Sequence, residues 1–169
     1  MTRLAGGIVD VTDFPRMRFI KKAATESVTS STTLQNDDDF VVTLAANQIY
    51  KISLHVVATG AAAGDIKIAW AVTSTVTAKT NRHSDGPGTS TTDSGNSAAQ
   101  RASGAHGLTT SVTYGTDGTN GSKIVEDFLI DGGASGGTLT MQWAQNTSSG
   151  TATTVNSNSF LLIQEVEEY

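Results

Sequence analysis

A chain of 169 residues has room for one domain of ordinary size and little more. It carries 11 Lys and Arg against 16 Asp and Glu, a formal charge of -5, with a charged fraction of only 16%. Too few cations are available to neutralise phosphates non-specifically, which argues against a nucleic-acid partner, and the lack of cysteine excludes disulfides, thiolate nucleophiles and cysteine-ligated metals.

The first 24 residues hold five of the eleven cations, Arg3, Arg16, Arg18, Lys21 and Lys22, interleaved with Phe14, Met17, Phe19 and Ile20. We read residues 1–24 as an N-terminal arm, both basic and apolar, that docks on an acidic surface or adds a strand to a neighbour. Arg3, Phe14, Arg16, Arg18 and Phe19 are its contact candidates. Residues 16–20 read equally well as the first strand of the domain. The apolar run at residues 4–9 is cut short by Asp10, too short for a secretory signal. No stretch reaches the roughly 20 apolar residues that cross a bilayer, so the expectation is a soluble protein made in the cytoplasm, without a membrane partner.

Residues 25–169 form the expected domain. Phe40, Val42 and Leu44 alternate with Val41 and Thr43, and Ile52, Leu54, Val56 and Ala58 with Lys51, Ser53, His55 and Val57. The same period of two runs through Ile66, Ile68, Trp70 and Val72, and through Leu139, Met141 and Trp143. Side chains on a strand leave opposite faces in turn, so each set builds one buried face. With further runs at 109–114, 123–130 and 159–166, the pattern predicts seven to nine strands, an all-β antiparallel sandwich or barrel. Residues 123–130 and 160–163 are apolar on both faces. Such a strand is central, or its second face is covered by loops of the same chain or by another subunit. Between the two alternating regions, residues 74–107 form a long segment rich in Ser, Thr and Gly.

Signals for chemistry are weak. His55, His83 and His106 share no ligand spacing. Asp37, Asp38 and Asp39 are the densest acidic group, but they lack the alternating spacing of a calcium loop. They read as a turn before a strand that begins at Phe40, and only weakly as metal ligands. The glycine-rich runs at 115–121 and 131–137 lead into strands rather than helices, so they read as hairpin turns instead of phosphate cradles. Glu126 and Asp127 are consecutive, hence opposed on a strand, and cannot act as a carboxylate pair in one groove. No cofactor and no enzyme activity are expected.

Several blocks carry a resemblance. They are residues 22–39, then Leu44-Ala45-Ala46-Asn47 with Tyr50, Thr59-Gly60-Ala61-Ala62-Ala63-Gly64-Asp65 running into Ala69-Trp70, and residues 137–147 with 151–155 and 159–161. In order and spacing these resemble small virion structural proteins of actinobacterial tailed phages, of the decoration, head-fibre and minor tail kinds. The resemblance spans roughly residues 22–74 and 108–166. It implies a jelly roll similar to the tumour-necrosis-factor and complement-C1q heads (TNF/C1q-like), a homotrimer, and no catalytic residues. The expected role is a capsid decoration protein on the outside of the head, bound to the major capsid protein through the arm. The alternative is a minor tail or fibre module that binds host-surface glycans, with Trp70, Tyr114 or Tyr169 as a sugar platform.

Overall fold

The computed structural model describes residues 16–73, 75–89 and 106–166. Among them there is no helix, only strands. In chain order these are β1 (Met17–Lys21), β2 (Glu26–Val28), β3 (Gln35–Leu44), β4 (Ile49–Thr59), β5 (Ile66–Val72) and β6 (Thr77–Ala78). They continue with β7 (His83–Asp85), β8 (Val112–Tyr114), β9 (Ser122–Asp131), β10 (Gly137–Gln145), β11 (Thr153–Val155) and β12 (Phe160–Val166).

The strands form an antiparallel sandwich. In the first sheet β4 lies between β9 on one side and β12 and β11 on the other. At its edges β1 pairs with β12, β2 with β11, and β6 and β7 with β9. The second sheet has the order β3-β10-β5-β8. Alternation places the core between them: Tyr50, Ile52, Leu54, Val56 and Ala58 of β4 are buried, as are Ile124, Phe128 and Ile130 of β9. From the second sheet Phe40, Val42, Ile66, Ile68, Trp70, Leu139, Met141 and Trp143 fill the same layer. Each large side chain so buried stabilises the fold by about 1.5–3 kcal/mol relative to exposure. Trp70 and Phe128 meet edge to face across the two sheets, with ring centroids 5.3 Å apart.

Two expectations from the sequence are corrected. No described strand pairs with its immediate neighbour in the chain. The glycine-rich runs at 115–121 and 131–137 therefore carry the chain from one sheet to the other and are not hairpin turns. Gly133 and Gly136 take φ of +67° and +70°, the left-handed region where a side chain is strained, and a Cβ on Gly133 would stand 2.0 Å from the Thr75 carbonyl oxygen. The alternation of a strand is the same whichever sheet it joins, so the crossing leaves no trace in the hydropathy pattern.

The second correction concerns Asp37, Asp38 and Asp39. They lie inside β3 rather than in a turn before it, because β3 begins at Gln35. Its register with β10 slips there: Val41 stands opposite Thr140 but Asn36 opposite Gln142, so four residues face one. Within this bulge Asp37 Oδ1 accepts the backbone N–H groups of Asp39 and Phe40, each at 3.0 Å. The turn chemistry of aspartate is present, folded into the strand.

Residues 17–21 of the arm form β1 at the edge of the first sheet, with Phe19 opposite Leu162 and Lys21 opposite Phe160. In the 74–107 segment, β6 and β7 extend the first sheet beyond β9, and Arg82 and His106 form an isolated antiparallel bridge.

Candidate functional site

Of the five arm candidates, Arg3 and Phe14 lie outside the described residues. Arg16, Arg18 and Phe19 are exposed. The pleat of β1 separates them, because Arg16 and Arg18 leave on the side of Ile20 while Phe19 leaves on the other side with Met17 and Lys21. Phe19 instead heads an aromatic ladder on the outer face of the first sheet. Its ring lies 5.1 Å from that of Phe160 at 25°, and Phe160 lies 4.4 Å from the His55 ring at 14°. Burial first, and then the positive charge of Lys123, hold His55 below its usual value, with Asp127 pulling weakly the other way. Met17 and Phe19 are 66% and 60% exposed.

The acidic cluster is held by a side chain that the arm reading had treated as a surface cation. Lys22 is buried, and its Nζ donates to Asp37 Oδ2 at 2.8 Å and to Glu26 Oε1. Asp39 Oδ2 lies 3.5 Å from the same nitrogen and accepts the Ala23 N–H at 3.0 Å. Burial alone would lower the Lys22 pKa, but the hydrogen bonds and charges of Asp37 and Glu26 outweigh it and leave it above its ordinary value. The Phe40 ring centroid, 5.5 Å from Nζ, adds a cation–π contact. Carboxylate oxygens of Glu26, Asp37 and Asp39 come within 4.8 Å of one another. Asp38 is exposed and is replaced in the group by Glu26, which sequence proximity did not suggest. The geometry resembles a cation site, and the cation it holds is the protein's own ammonium.

A second polar cluster lies between the sheets. Glu126 points inward from the middle of β9, and its neighbour Asp127 points outward, opposed as their adjacency requires. Glu126 Oε2 accepts the Trp70 indole N–H at 2.8 Å and Oε1 accepts the Tyr114 hydroxyl at 2.6 Å. Arg82 Nε stands 3.6 Å from Oε2, an electrostatic contact without a hydrogen bond. The other guanidinium nitrogens donate to the Leu108 carbonyl at 3.1 Å and the Thr110 carbonyl at 2.7 Å. Complete burial raises the Glu126 pKa, and Arg82, Tyr114 and Trp70 each oppose that rise. Burial, and then the charge of Glu126, push the Tyr114 hydroxyl up as well.

The sequence reading weighed Glu126 only as half of a carboxylate pair with Asp127 and Lys22 only as a cation of the arm, and it singled out neither Arg82 nor Glu26. One signal was available: Ile124, Glu126, Phe128 and Ile130 share a parity, so a lone acid stood in an apolar stripe. Two of the three sugar-platform candidates are sealed inside the sandwich. Trp70 and Tyr114 are 1% and 0% exposed, and Tyr169 lies outside the described residues.

No protein-family model matches the chain, and no curated protein matches it. Among solved structures, the chain is similar to the tripod from the baseplate of bacteriophage Tuc2009, with a TM-score of 0.44 and 9% identity over 99% of this chain and 78% of that one. It is similar at a TM-score of 0.25 to structures of infectious bursal disease virus. The Gt strain aligns at 11% identity over 98% of this chain, and the VP2 subviral particle at 13% over 97%. This chain spans less than half of those two, 45% and 46%.

Proposed function

We propose that this protein is a non-enzymatic structural component of a tailed-phage virion, and specifically a homotrimeric decoration protein on the outer surface of the head. The observation that carries this reading is where the chain puts its polar and apolar groups. Among the described residues, Arg82, Glu126, Trp70 and Tyr114 are sealed at 0–1% exposure, so no substrate reaches Glu126, whose pKa burial raises. Met17 and Phe19 meanwhile stand in solvent on a sheet edge, beside residues 1–15. Such a molecule is suited to being assembled rather than to turning over a ligand.

The resemblance noted in the sequence supports the same reading. Its blocks fall on frame-building parts: residues 22–39 contain the Lys22 cluster and the bulge of β3, and residues 137–147 contain β10 with Trp143. Strand order supports a jelly roll, with β1 and β2, β12 and β11, β4, β9 across one sheet and β3, β10, β5, β8 across the other. On this reading the arm contacts the major capsid protein through Arg3, Phe14, Arg16 and Arg18, with Phe19 at its junction with the sheet. Many symmetry-related weak contacts then hold the particle by avidity.

Immunogold labelling of purified particles of the encoding phage tests this. Label spread over the head is expected. Label confined to the tail tip would transfer the protein to the minor tail or fibre reading, and unlabelled particles would end the virion reading altogether. Removing residues 1–15 together with Arg16→Ala and Arg18→Ala, which takes away all four contacts and leaves the backbone of β1 in place, is expected to abolish head binding without changing the unfolding transition. Normal occupancy by the truncated protein would refute the arm assignment.

A further inference from the structure

We propose that Lys22 and Asp37 become covalently joined in the folded protein, the Lys22 amine forming an amide with the Asp37 carboxyl as one water leaves, and Glu26 moving the protons. The ion pair at the rim of the sandwich is the state from which this bond forms. The chemistry is internal to one chain, so it stands apart from where the protein sits on a virion.

Three requirements of such a bond meet in this cluster. The first is a nucleophile held against its carboxyl. Lys22 Nζ stands 2.8 Å from Asp37 Oδ2, and both side chains are sealed from solvent. The backbone around Lys22 is pinned too: its N–H donates to the Ser159 carbonyl at 2.9 Å, and the next N–H, of Ala23, to Asp39 Oδ2 at 3.0 Å. Groups fixed in this way react as neighbours rather than through chance encounter. The second requirement is a place for negative charge, which develops on a carboxyl oxygen when the amine adds to Asp37 Cγ. Oδ1 already accepts the backbone N–H groups of Asp39 and Phe40, each at 3.0 Å, so two fixed donors face it. The third is a proton carrier, and Glu26 Oε1 accepts directly from Nζ. Asp37 is the electrophile because it alone of the three carboxylates is wholly buried, whereas Glu26 and Asp39 are 18% and 24% exposed.

At rest the pair is ionised, because the hydrogen bonds and charges of Asp37 and Glu26 outweigh burial at Lys22. Burial favours the neutral couple, and the hydrogen bond from Nζ to Oδ2 is the path by which a proton passes from ammonium to carboxylate. The amine lone pair then adds to Cγ, and the electron pair of the carbonyl bond moves onto Oδ1. Glu26 takes a second proton from the nitrogen and delivers it to the protonated Oδ2. The bond from Cγ to Oδ2 breaks, Oδ1 regains its double bond, and Oδ2 leaves as water. An ammonium and a carboxylate thus become an amide and water, Glu26 ends as it began, and no oxidant or reductant is consumed. Exclusion of solvent from Lys22 and Asp37 then protects the amide from hydrolysis. The link ties the residue after β1, in the first sheet, to the bulge of β3 in the second, so a load on β1 reaches the second sheet through a covalent bond. Because the amide closes a loop that the unfolded chain cannot reopen, the cost of breaking the ion pair alone is read on unlinked protein.

Mass spectrometry of the full chain, incubated folded and then denatured and digested with trypsin, tests this. Trypsin cuts after Lys21 and Lys51 but not after an acylated lysine, so the linked protein is expected to yield residues 22–51 as one peptide, lighter than its sequence by one water and uncut after Lys22. Lys22→Arg keeps the positive charge and is expected to give full mass and cleavage after position 22. Glu26→Gln is expected to slow the appearance of the linked peptide by about a hundredfold or more. A parent protein of full mass that is cut after Lys22 overturns the proposal. So does a loss of water confined to the Asp-Gly pairs at 85–86, 117–118 or 131–132, which dehydrate without blocking Lys22. Linking at an unchanged rate in Glu26→Gln overturns the part assigned to Glu26. None of these outcomes bears on the virion reading, which the labelling of particles decides separately.

Discussion

The Lys22 cluster sets one ammonium among three carboxylates at the rim of the sandwich, whereas the Arg82 cluster sets one carboxylate beside a guanidinium and two neutral donors at its centre. Lys22 and Asp37 are sealed from solvent, but Glu26 and Asp39 are 18% and 24% exposed, so water reaches two of the three carboxylates at the rim. Arg82 and Glu126 are wholly buried, and there the protein must supply every partner. Both clusters tie together pieces that are distant in sequence. Lys22, just after β1 in the first sheet, binds the bulge of β3 in the second. Arg82, in the Ser/Thr/Gly-rich segment, is held against Glu126 of β9 and bonds the Leu108 and Thr110 carbonyls. The contrast leads to the expectation that a charge costs less to orphan where some of its partners can turn to solvent.

Breaking the central cluster should have the largest effect. Glu126→Ala leaves a buried guanidinium without a counter-charge and removes the acceptor of Trp70 and Tyr114. It is expected to cost about 3–5 kcal/mol in denaturant-induced unfolding. A loss as small as that of an exposed substitution would mean that Arg82 finds water there.

Lys22→Met makes the matching lesion at the rim. Asp37 keeps its two backbone donors, and Glu26 and Asp39 can turn to solvent, so the expected loss is smaller, about 1–3 kcal/mol. If the two variants prove equally damaging, the contrast between rim and centre is wrong.

The gentlest probe is pH. Because burial raises the Glu126 pKa, the folded protein keeps that proton at a pH where the unfolded chain, near its ordinary value of 4.5, has lost it. Within that window the native state binds more protons, so stability falls as pH rises. Glu126→Gln is expected to flatten this part of the stability profile, followed by unfolding midpoints across the acid-to-neutral range. An unchanged slope would assign it to another group.

Much of the frame was legible in the residues. The period of two marked the strands, and the parity of Trp70 and Trp143 placed both in the core, where they are 1% and 0% exposed. The opposed directions of Glu126 and Asp127 followed from adjacency alone. The candidate site was far less legible. Lys22 looked like one more cation of a basic arm, and Asp37 like the start of a turn, because neither reveals the other without the packing of the two sheets that sets the residue after β1 against the bulge of β3. Arg82 sat in a segment whose composition suggested only polar loop.

The amino-acid sequence by itself determined which residues are pleated and which side of each strand is apolar, since alternation is a local property of the extended backbone. Tertiary structure alone decided which strands are neighbours, which charges are sealed inside, and which apolar side remains in water. Those outcomes depend on how connections cross between two sheets. The crossing brings residues far apart in the chain into one shell, and no local pattern records it.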